Sequence, residues 1–375
     1  MKGKNITYIP AIDQLRGLAA LLIVQYHGLH ILSYYYRFQK PFSFDNWLQV
    51  DNPILASITE GHTAVALFMV LSGFIFTYGA GDFQISYRNF LINRVLRIFP
   101  LYIFLYVIGI YLFPERYTLL GFIQGVFLQT NLPGSTYIEP FTSLFWTIAV
   151  EFQFYLIFPF LLLFQRTYSY RYLLFVIALM FTVRIIGLIL GANPREYSYT
   201  TLIGRLDQFI CGMLLALLYR RYPKPARTIR WIGLSVFMLT LMTALNVFHR
   251  LGGFPVISWY KILWPLIEGV LWAGFIYFYL TLAHQARNPF ARALAFVGEI
   301  SFSIYLLHII VIELFMRLHI DILPSGSEPI TRAVVHTNTI ILPIVIVCAF
   351  ATYHIIEKPF LTLRRAYLIK NDLKD

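Results

Sequence analysis

Ten apolar runs, each close to twenty residues long, succeed one another along this 375-residue chain. A helix rises ~1.5 Å per residue, so about 20 apolar residues cross a ~30 Å hydrocarbon core. Inside that core every backbone N–H and C=O must find a partner within the protein, which a helix supplies locally. The runs therefore predict an all-α polytopic membrane protein. The expected spans are 11–33, 62–81, 95–113, 141–164, 171–191, 200–220, 231–249, 261–283, 298–317 and 336–356. They are read as one transmembrane domain over residues 1–375, with no soluble domain and no convincing repeat. A further apolar stretch, 118–131, is short and carries Gly121, Gln124, Gly125 and Gln129. It is read as re-entrant or interfacial. Composition agrees: 13% of the residues are charged, about half the share of a soluble domain.

Charge orients the spans. With the N-terminus inside, about two thirds of the 30 Lys and Arg fall in cytoplasmic segments. They include Arg88, Arg94 and Arg97, the run Arg220, Arg221, Lys224, Arg227, Arg230, and Lys358, Arg364 and Arg365 near the end. The positive-inside rule then places both termini in the cytoplasm. Counting 118–131 as a span would move the five-charge run outside. The net charge of +12 would point a soluble chain toward nucleic acid. On a membrane protein it reads as loop bias plus contacts to lipid headgroups and other anions, so no nucleic-acid partner is expected. The first run is too long for a signal-peptide core and is read as retained. Cys211 and Cys348 both lie in apolar runs, and neither reads as a disulfide or a metal ligand. No Walker loop, GxSxG elbow or HExxH pair occurs.

The first span carries two residues foreign to a lipid-facing helix, Arg16 and His27. Eleven positions separate them by roughly 16 Å along the axis and about 20° around it. They share one face, which must be turned to protein or a water-filled cavity. Asp13, one turn before Arg16, is a candidate ion partner. His27 is a candidate general base, or a hydrogen-bonded buried histidine. Arg94 and Arg97, at i and i+3, suit a phosphate or lipid headgroups. Glu151 is a carboxylate near the centre of the fourth span, with a functional reading and a structural one as partner of Arg184 or Arg205. Arg205 and Asp207 read first as neutralising charges, Glu268 has no evident partner, and His62 reads as interfacial. Ser72-Gly73 suits close helix packing, with Ser72 a possible donor. Ser301, Tyr305 and His308 form a polar stripe on the ninth span.

Together these segments resemble the integral-membrane acyltransferase family 3, whose members include O-antigen and exopolysaccharide O-acetylases. The resemblance rests on RGLAALLIVQYH (Arg16 to His27), LFMVLSGFIF, RVLR, WTIAVEFQFYLIFP (Trp146, Glu151, Tyr155, Pro159), ISFSIYLLH and the terminal IEKP, in that order over nearly the whole chain. It implies about ten spanning helices in a bacterial cytoplasmic membrane, without the extra esterase-like domain some members carry. It implies acyl-CoA, usually acetyl-CoA, as cytoplasmic co-substrate and no metal. The implied acceptor is a hydroxyl of a glycan or lipid-linked saccharide at the outer face. Carried over by position, His27 would be catalytic with Glu151 in support, and Arg16, Arg94 and Arg97 would hold the CoA phosphates. Ser72, Tyr305 and His308 would shape the pocket. His27 would act as general base or as transient acyl carrier. One departure is Ala66, where many relatives are polar or acidic, so acceptor identity does not carry over. The competing expectation is a transporter or flippase for an anionic or glycan substrate, marked by discontinuous helices in matching halves.

Overall fold

The computed structural model describes residues 8–136, 138–222, 224–282, 288–324 and 326–369. Helix α1 (Pro10–Phe38) opens the bundle, with Pro10 at the first turn, where its fixed φ suits a helix start. Then come α2 (Pro53–Thr59), α3 (Thr63–Ala80), α4 (Tyr87–Leu112), α5 (Leu119–Val126), α6 (Phe145–Tyr168) and α7 (Tyr170–Ile189). The second half holds α8 (Pro194–Thr200), α9 (Leu202–Arg221), α10 (Arg227–Arg250), α11 (Trp264–Leu282), α12 (Pro289–Glu299) and α13 (Ser301–Arg317). A last rod, Pro329–Thr362, comprises α14 (Pro329–His336), α15 (Leu342–Thr352) and α16 (Lys358–Thr362). Its segments are joined by two π-helical turns, Thr337–Ile341 and Tyr353–Glu357.

Among the described residues, nine helices are long and apolar enough to cross a membrane, or ten if the bent pair α12–α13 is one span. The protein is thus an all-α, multi-pass membrane protein, as the apolar runs require. The short stretch 118–131 yields only the eight-residue α5, far too short to cross. The expected boundaries shift where local chemistry intervenes. The span drawn as 261–283 begins at Trp264, because Trp259–Ile262 form a 3-10 turn that buries Lys261. The ninth span is broken: α12 meets α13 at 75°.

Backbone-to-backbone approach sets the packing. A Cβ on Gly73 would lie 1.9 Å from the Phe209 carbonyl oxygen, and one on Gly212 would lie 2.0 Å from that of Val70. Helices α3 and α9 therefore touch through these two glycines. In the same way Gly17 and Gly298 bring α1 against α12. These contacts place α1 inside the bundle, with Leu15, Ala19, Ala20, Val24 and Leu32 buried. The only strands among the described residues, β1 (Gln84–Ile85) and β2 (Leu368–Ile369), pair antiparallel. The Asn93 amide donates to the Arg365 carbonyl (2.7 Å), and the Arg365 N–H donates back to Asn93 Oδ1 (2.8 Å). The C-terminal segment is thereby fixed on the side of the α3–α4 turn, as the charge distribution expects.

Candidate active site

At the end of the bundle that holds the start of α1 and the C-terminal segment, basic side chains from three segments converge. Arg97 Nη1 donates to Glu357 Oε2 at 2.8 Å, and the Ser303 hydroxyl donates to the other Glu357 oxygen. Glu357 closes the second π-helical turn; such bulges recur at functional positions. Arg94 lies over the rings of Phe76 (4.8 Å), Phe90 (5.4 Å) and Tyr155 (5.7 Å), and no carboxylate pairs with it among the described residues. Its Nε is buried without a hydrogen-bond partner. Arg16 keeps only a loose ion pair with Asp13, at 3.8 Å. Arg364, beyond the last span, completes the group. Burial lowers its pKa, and neighbouring Arg97, Arg94 and Arg16 press it further, to about 9. Four guanidinium groups thus gather at one end of the bundle. The motifs named three of them, and left Arg364 and Glu357 to the cytoplasmic tail and a polar helix end.

Deeper in, Glu151 accepts hydrogen bonds from Ser72 (3.0 Å) and from Tyr155, the latter on its own helix. Its structural reading as partner of Arg184 or Arg205 is corrected. Arg184 pairs with Asp207 at 2.6 Å, and Arg205 with Glu268 at 3.5 Å, all four fully or almost fully buried. Arg205 and Asp207 are thus neutralising charges, as read, each paired to another helix, and Glu268, without an evident partner in the sequence, is the partner of Arg205. Asn131 and Gln153 exchange two amide hydrogen bonds (2.8 and 3.3 Å), which tie the 127–136 loop to α6.

His27 Nδ1 lies 2.9 Å from Nε2 of His308, which is fully buried on α13. The proton positions follow from the acceptors. His308 Nδ1 is 3.1 Å from the Ile304 carbonyl, which can only accept, so that nitrogen carries hydrogen and a neutral His308 presents a bare Nε2. His27 Nδ1 then donates to it, and its second neighbour, the Ile23 carbonyl at 3.2 Å, also accepts. His27 Nε2 is left as an unprotonated base. Tyr305, one turn before His308, is hydrogen-bonded at 2.8 Å to Thr147 of α6. Thr147 is itself one turn from Glu151. The residues Arg16, Ser72, Arg94, Arg97, Glu151 and His27 are all half-buried within a bundle whose neighbouring positions are mostly buried.

Toward the opposite end lies a network that sequence patterns did not assemble. Glu60, just before α3, sits between His249 (2.9 Å) and His62 (3.2 Å) and receives the Trp47 indole N–H (3.3 Å). Burial alone would raise its pKa, but those two histidine hydrogen bonds outweigh it and hold the carboxyl below its ordinary value. His62, expected at the interface, is 1% exposed. It is buried because Tyr26, Tyr199, Phe248 and Phe254 surround its ring. The one hint in the sequence is Glu60 itself, an acidic residue two positions before His62 at the edge of an apolar run.

Residues 9–354 match the family described as an acyltransferase domain. A Staphylococcus aureus (strain COL) protein provisionally named an O-acetyltransferase is 26% identical over 404 aligned residues, covering 96% of this chain and 58% of that protein. A Bacillus subtilis (strain 168) protein provisionally named peptidoglycan O-acetyltransferase YrhL is 25% identical, covering 96% of this chain and 56% of its own. Acyltransferase MdmB of Streptomyces mycarofaciens is 31% identical over 164 residues, 41% of this chain and 39% of MdmB. The chain thus spans little more than half the length of the first two relatives. No solved structure gives a significant match. With residues 9–354 matched, the chain belongs to the integral-membrane acyltransferase family 3.

Proposed function

We propose that this domain catalyses O-acyl transfer in a bacterial cytoplasmic membrane. It would take the acyl group, acetyl by default, from cytoplasmic acyl-CoA to a hydroxyl of a glycan or lipid-linked saccharide at the outer face. The observation that carries the reading is the His27–His308 pair, which leaves His27 Nε2 free to take a proton in mid-bundle. The inner mouth supports it. Arg16, Arg94, Arg97 and Arg364 suit the phosphates of CoA, and the partnerless Nε of Arg94 is the kind of donor an anionic head would occupy. Acyl-CoA supplies the acyl carbonyl and a thiol leaving group.

In this scheme His27 Nε2 removes the proton of the acceptor hydroxyl as its oxygen attacks the acyl carbonyl. The new C–O bond forms, the C–S bond breaks, and the proton on His27 passes to the departing thiolate. His308 accepts from His27 Nδ1 throughout, holding the ring and favouring the imidazolium that forms transiently. Ser72 and Tyr155 hold the Glu151 carboxylate, while Thr147 fixes Tyr305 beside His308. The transporter reading draws on one broken helix, α12–α13, but no second bent pair occurs among the described residues.

The test is label transfer from acetyl-CoA to an extracted polysaccharide, using protein reconstituted in lipid nanodiscs. Transfer that disappears in His27→Ala is expected. Transfer that survives that substitution would overturn the role of His27, and flux across vesicles without CoA would favour transport.

A further inference from the structure

The end of the bundle away from the arginine cluster holds polar groups that have no role in the scheme above. Between the N-terminal ends of α3, α9 and α11 lies a cleft lined by His62, Arg195, Ser198, Arg205, Lys261 and Trp264, with aromatic rings among them. His62 is the residue before α3, Arg205 lies in the first turn of α9, and Trp264 opens α11. Arg195 and Ser198 come from α8, and Lys261 from the 3-10 turn before α11. His62, Ser198, Arg205 and Lys261 are each at most 5% exposed. Four atoms, His62 Nδ1, Ser198 Oγ, Arg205 Nη2 and Trp264 Nε1, are buried there without a hydrogen-bond partner among the described residues. Leaving so many polar atoms unpaired costs stability unless something else satisfies them.

Their chemistry specifies what that would be. Arg205 Nη2 and Trp264 Nε1 only donate, and the Ser198 hydroxyl can donate as well. The Lys261 ammonium has three hydrogens and meets two carbonyl oxygens, those of Gly253 (2.7 Å) and Phe254 (3.3 Å), so a donor is left over. Positive charge is also in excess. Arg205 is matched by Glu268 at 3.5 Å, which faces His62 at 3.9 Å on its other side, and Glu60 is taken by His249 and His62. Lys261 has no carboxylate at ion-pair distance among the described residues, and Arg195 has only the exposed Glu196, at 3.5 Å. Phe248 lies 3.9 Å from the Lys261 ammonium and Tyr199 3.9 Å from the Arg205 guanidinium, contacts that hold the cations without neutralising them. Three helix N-termini add their partial positive charge. An anion that accepts from several directions fits this lining. The donors enter from α8, α9, the 3-10 turn and α11, which suits the several oxygens of a phosphoryl group better than the planar pair of a carboxylate. The segment between α10 and α11, which supplies Lys261, leaves Leu251, Ile257 and Trp259 exposed. Apolar and aromatic side chains bared at the end of a membrane bundle sit at headgroup depth, where a lipid phosphate is at hand.

We infer that this cleft binds a phosphoryl anion, held by Arg195, Ser198, Arg205, Lys261 and Trp264, with a phospholipid headgroup or free phosphate as its source. The inference does not depend on acyl transfer, and binding alone tests it. Fluorine NMR is recorded on the full chain labelled with 5-fluorotryptophan, in maltoside micelles free of phosphate, at about pH 6.5, below the Lys261 pKa of about 7. The Trp264 resonance is the one missing in Trp264→Phe. The probes are sodium phosphate and phosphatidylglycerol, with sodium chloride at equal ionic strength as reference. Phosphate or the lipid moves the Trp264 resonance saturably and chloride does not. Arg195→Gln and Lys261→Met each raise the midpoint about tenfold, the loss of one charge-assisted hydrogen bond. Arg195 is partly exposed on a short helix, so its variant tests the site even if the buried Lys261 variant unfolds. Arg94→Ala, in the distant arginine cluster, leaves the midpoint unchanged. A lower midpoint for phosphatidylglycerol identifies the headgroup as the source, a lower one for phosphate identifies the free anion, and both uphold the site. A resonance that neither probe moves, or that chloride moves as far, overturns it. So does a midpoint unchanged in Arg195→Gln, and a shift lost in Arg94→Ala, which would place the anion at the arginine cluster.

Discussion

His27 Nδ1 and His308 Nε2 meet at 2.9 Å across two helices, between residues 281 positions apart in sequence. The contact fixes the proton on the inner nitrogen of His27 and so decides which nitrogen is basic. His27→Ala is expected to lower kcat by ~10²–10⁴-fold, the usual worth of general-base help. His308→Phe keeps the ring volume but removes the acceptor. It is expected to lower kcat by about 10–100-fold with the acyl-CoA KM unchanged, and to shift the pH profile of kcat. The double variant should be no worse than His27→Ala alone, since the two act as a unit. Additive losses would show that His308 acts elsewhere.

Arg94 and Arg97 share a helix face but differ in partners. Arg97→Ala leaves Glu357, which is fully buried, without its ion partner. Breaking a buried pair in this way costs about 3–5 kcal/mol, so a lower melting temperature is expected. Arg94→Ala removes a guanidinium stacked on three rings with no carboxylate to orphan. It should weaken acetyl-CoA binding about tenfold or more, the scale of a charge-assisted hydrogen bond, with a smaller change in melting temperature. Titration calorimetry and thermal unfolding of the two variants separate these outcomes.

Gly73 and Gly187 differ in the space around them. A methyl group on Gly73 meets the backbone oxygen of Phe209 at 1.9 Å, whereas one on Gly187 meets only the edge of Tyr197 at 3.4 Å. Gly73→Ala should therefore force α3 from α9 and cost about 1–3 kcal/mol. Gly187→Ala should be tolerated. Thermal unfolding in detergent reads both, and equal stability would contradict the helix contact.

Lys261 gives a pH signature. It sits outside the spans, 5% exposed, with its ammonium on the Gly253 and Phe254 carbonyls (2.7 and 3.3 Å). Burial pushes its pKa down to about 7, Glu60 and Glu268 oppose that, and Arg195 adds to it. Between about 7 and its ordinary value near 10.5 the unfolded chain holds a proton that the folded chain has lost. Stability must then rise with pH through that window. The melting temperature is expected to climb from pH 7 to pH 9 in the wild type and to stay flatter in Lys261→Met.

Much of the fold is legible in the chain itself. The lengths of the apolar runs dictate spanning helices, because leaving backbone polar groups unpaired in hydrocarbon is costly. The polar face of α1 is legible for the same reason: Arg16 and His27 are too costly in lipid to point outward. Partner choice is a different matter. Glu151 is taken by Ser72 and Tyr155, Glu357 by Arg97 and Ser303, Arg205 by Glu268 and Arg184 by Asp207. All but the Tyr155 contact are pairings across helices, and sequence separation carries no information about which helices touch.

Local pattern therefore dictates an all-α membrane bundle with a basic inner mouth and one buried polar stripe, since those depend on the period and length of short stretches of chain. Three further relationships exist only in the folded bundle: His27 is held by His308, Arg364 joins the inner arginines, and His62, Ser198, Arg205 and Trp264 line one outer cleft. Their cause is the packing of α3 on α9 and α1 on α12 through glycines that allow backbone contact. Those approaches set the helix register, and register selects which polar side chains meet.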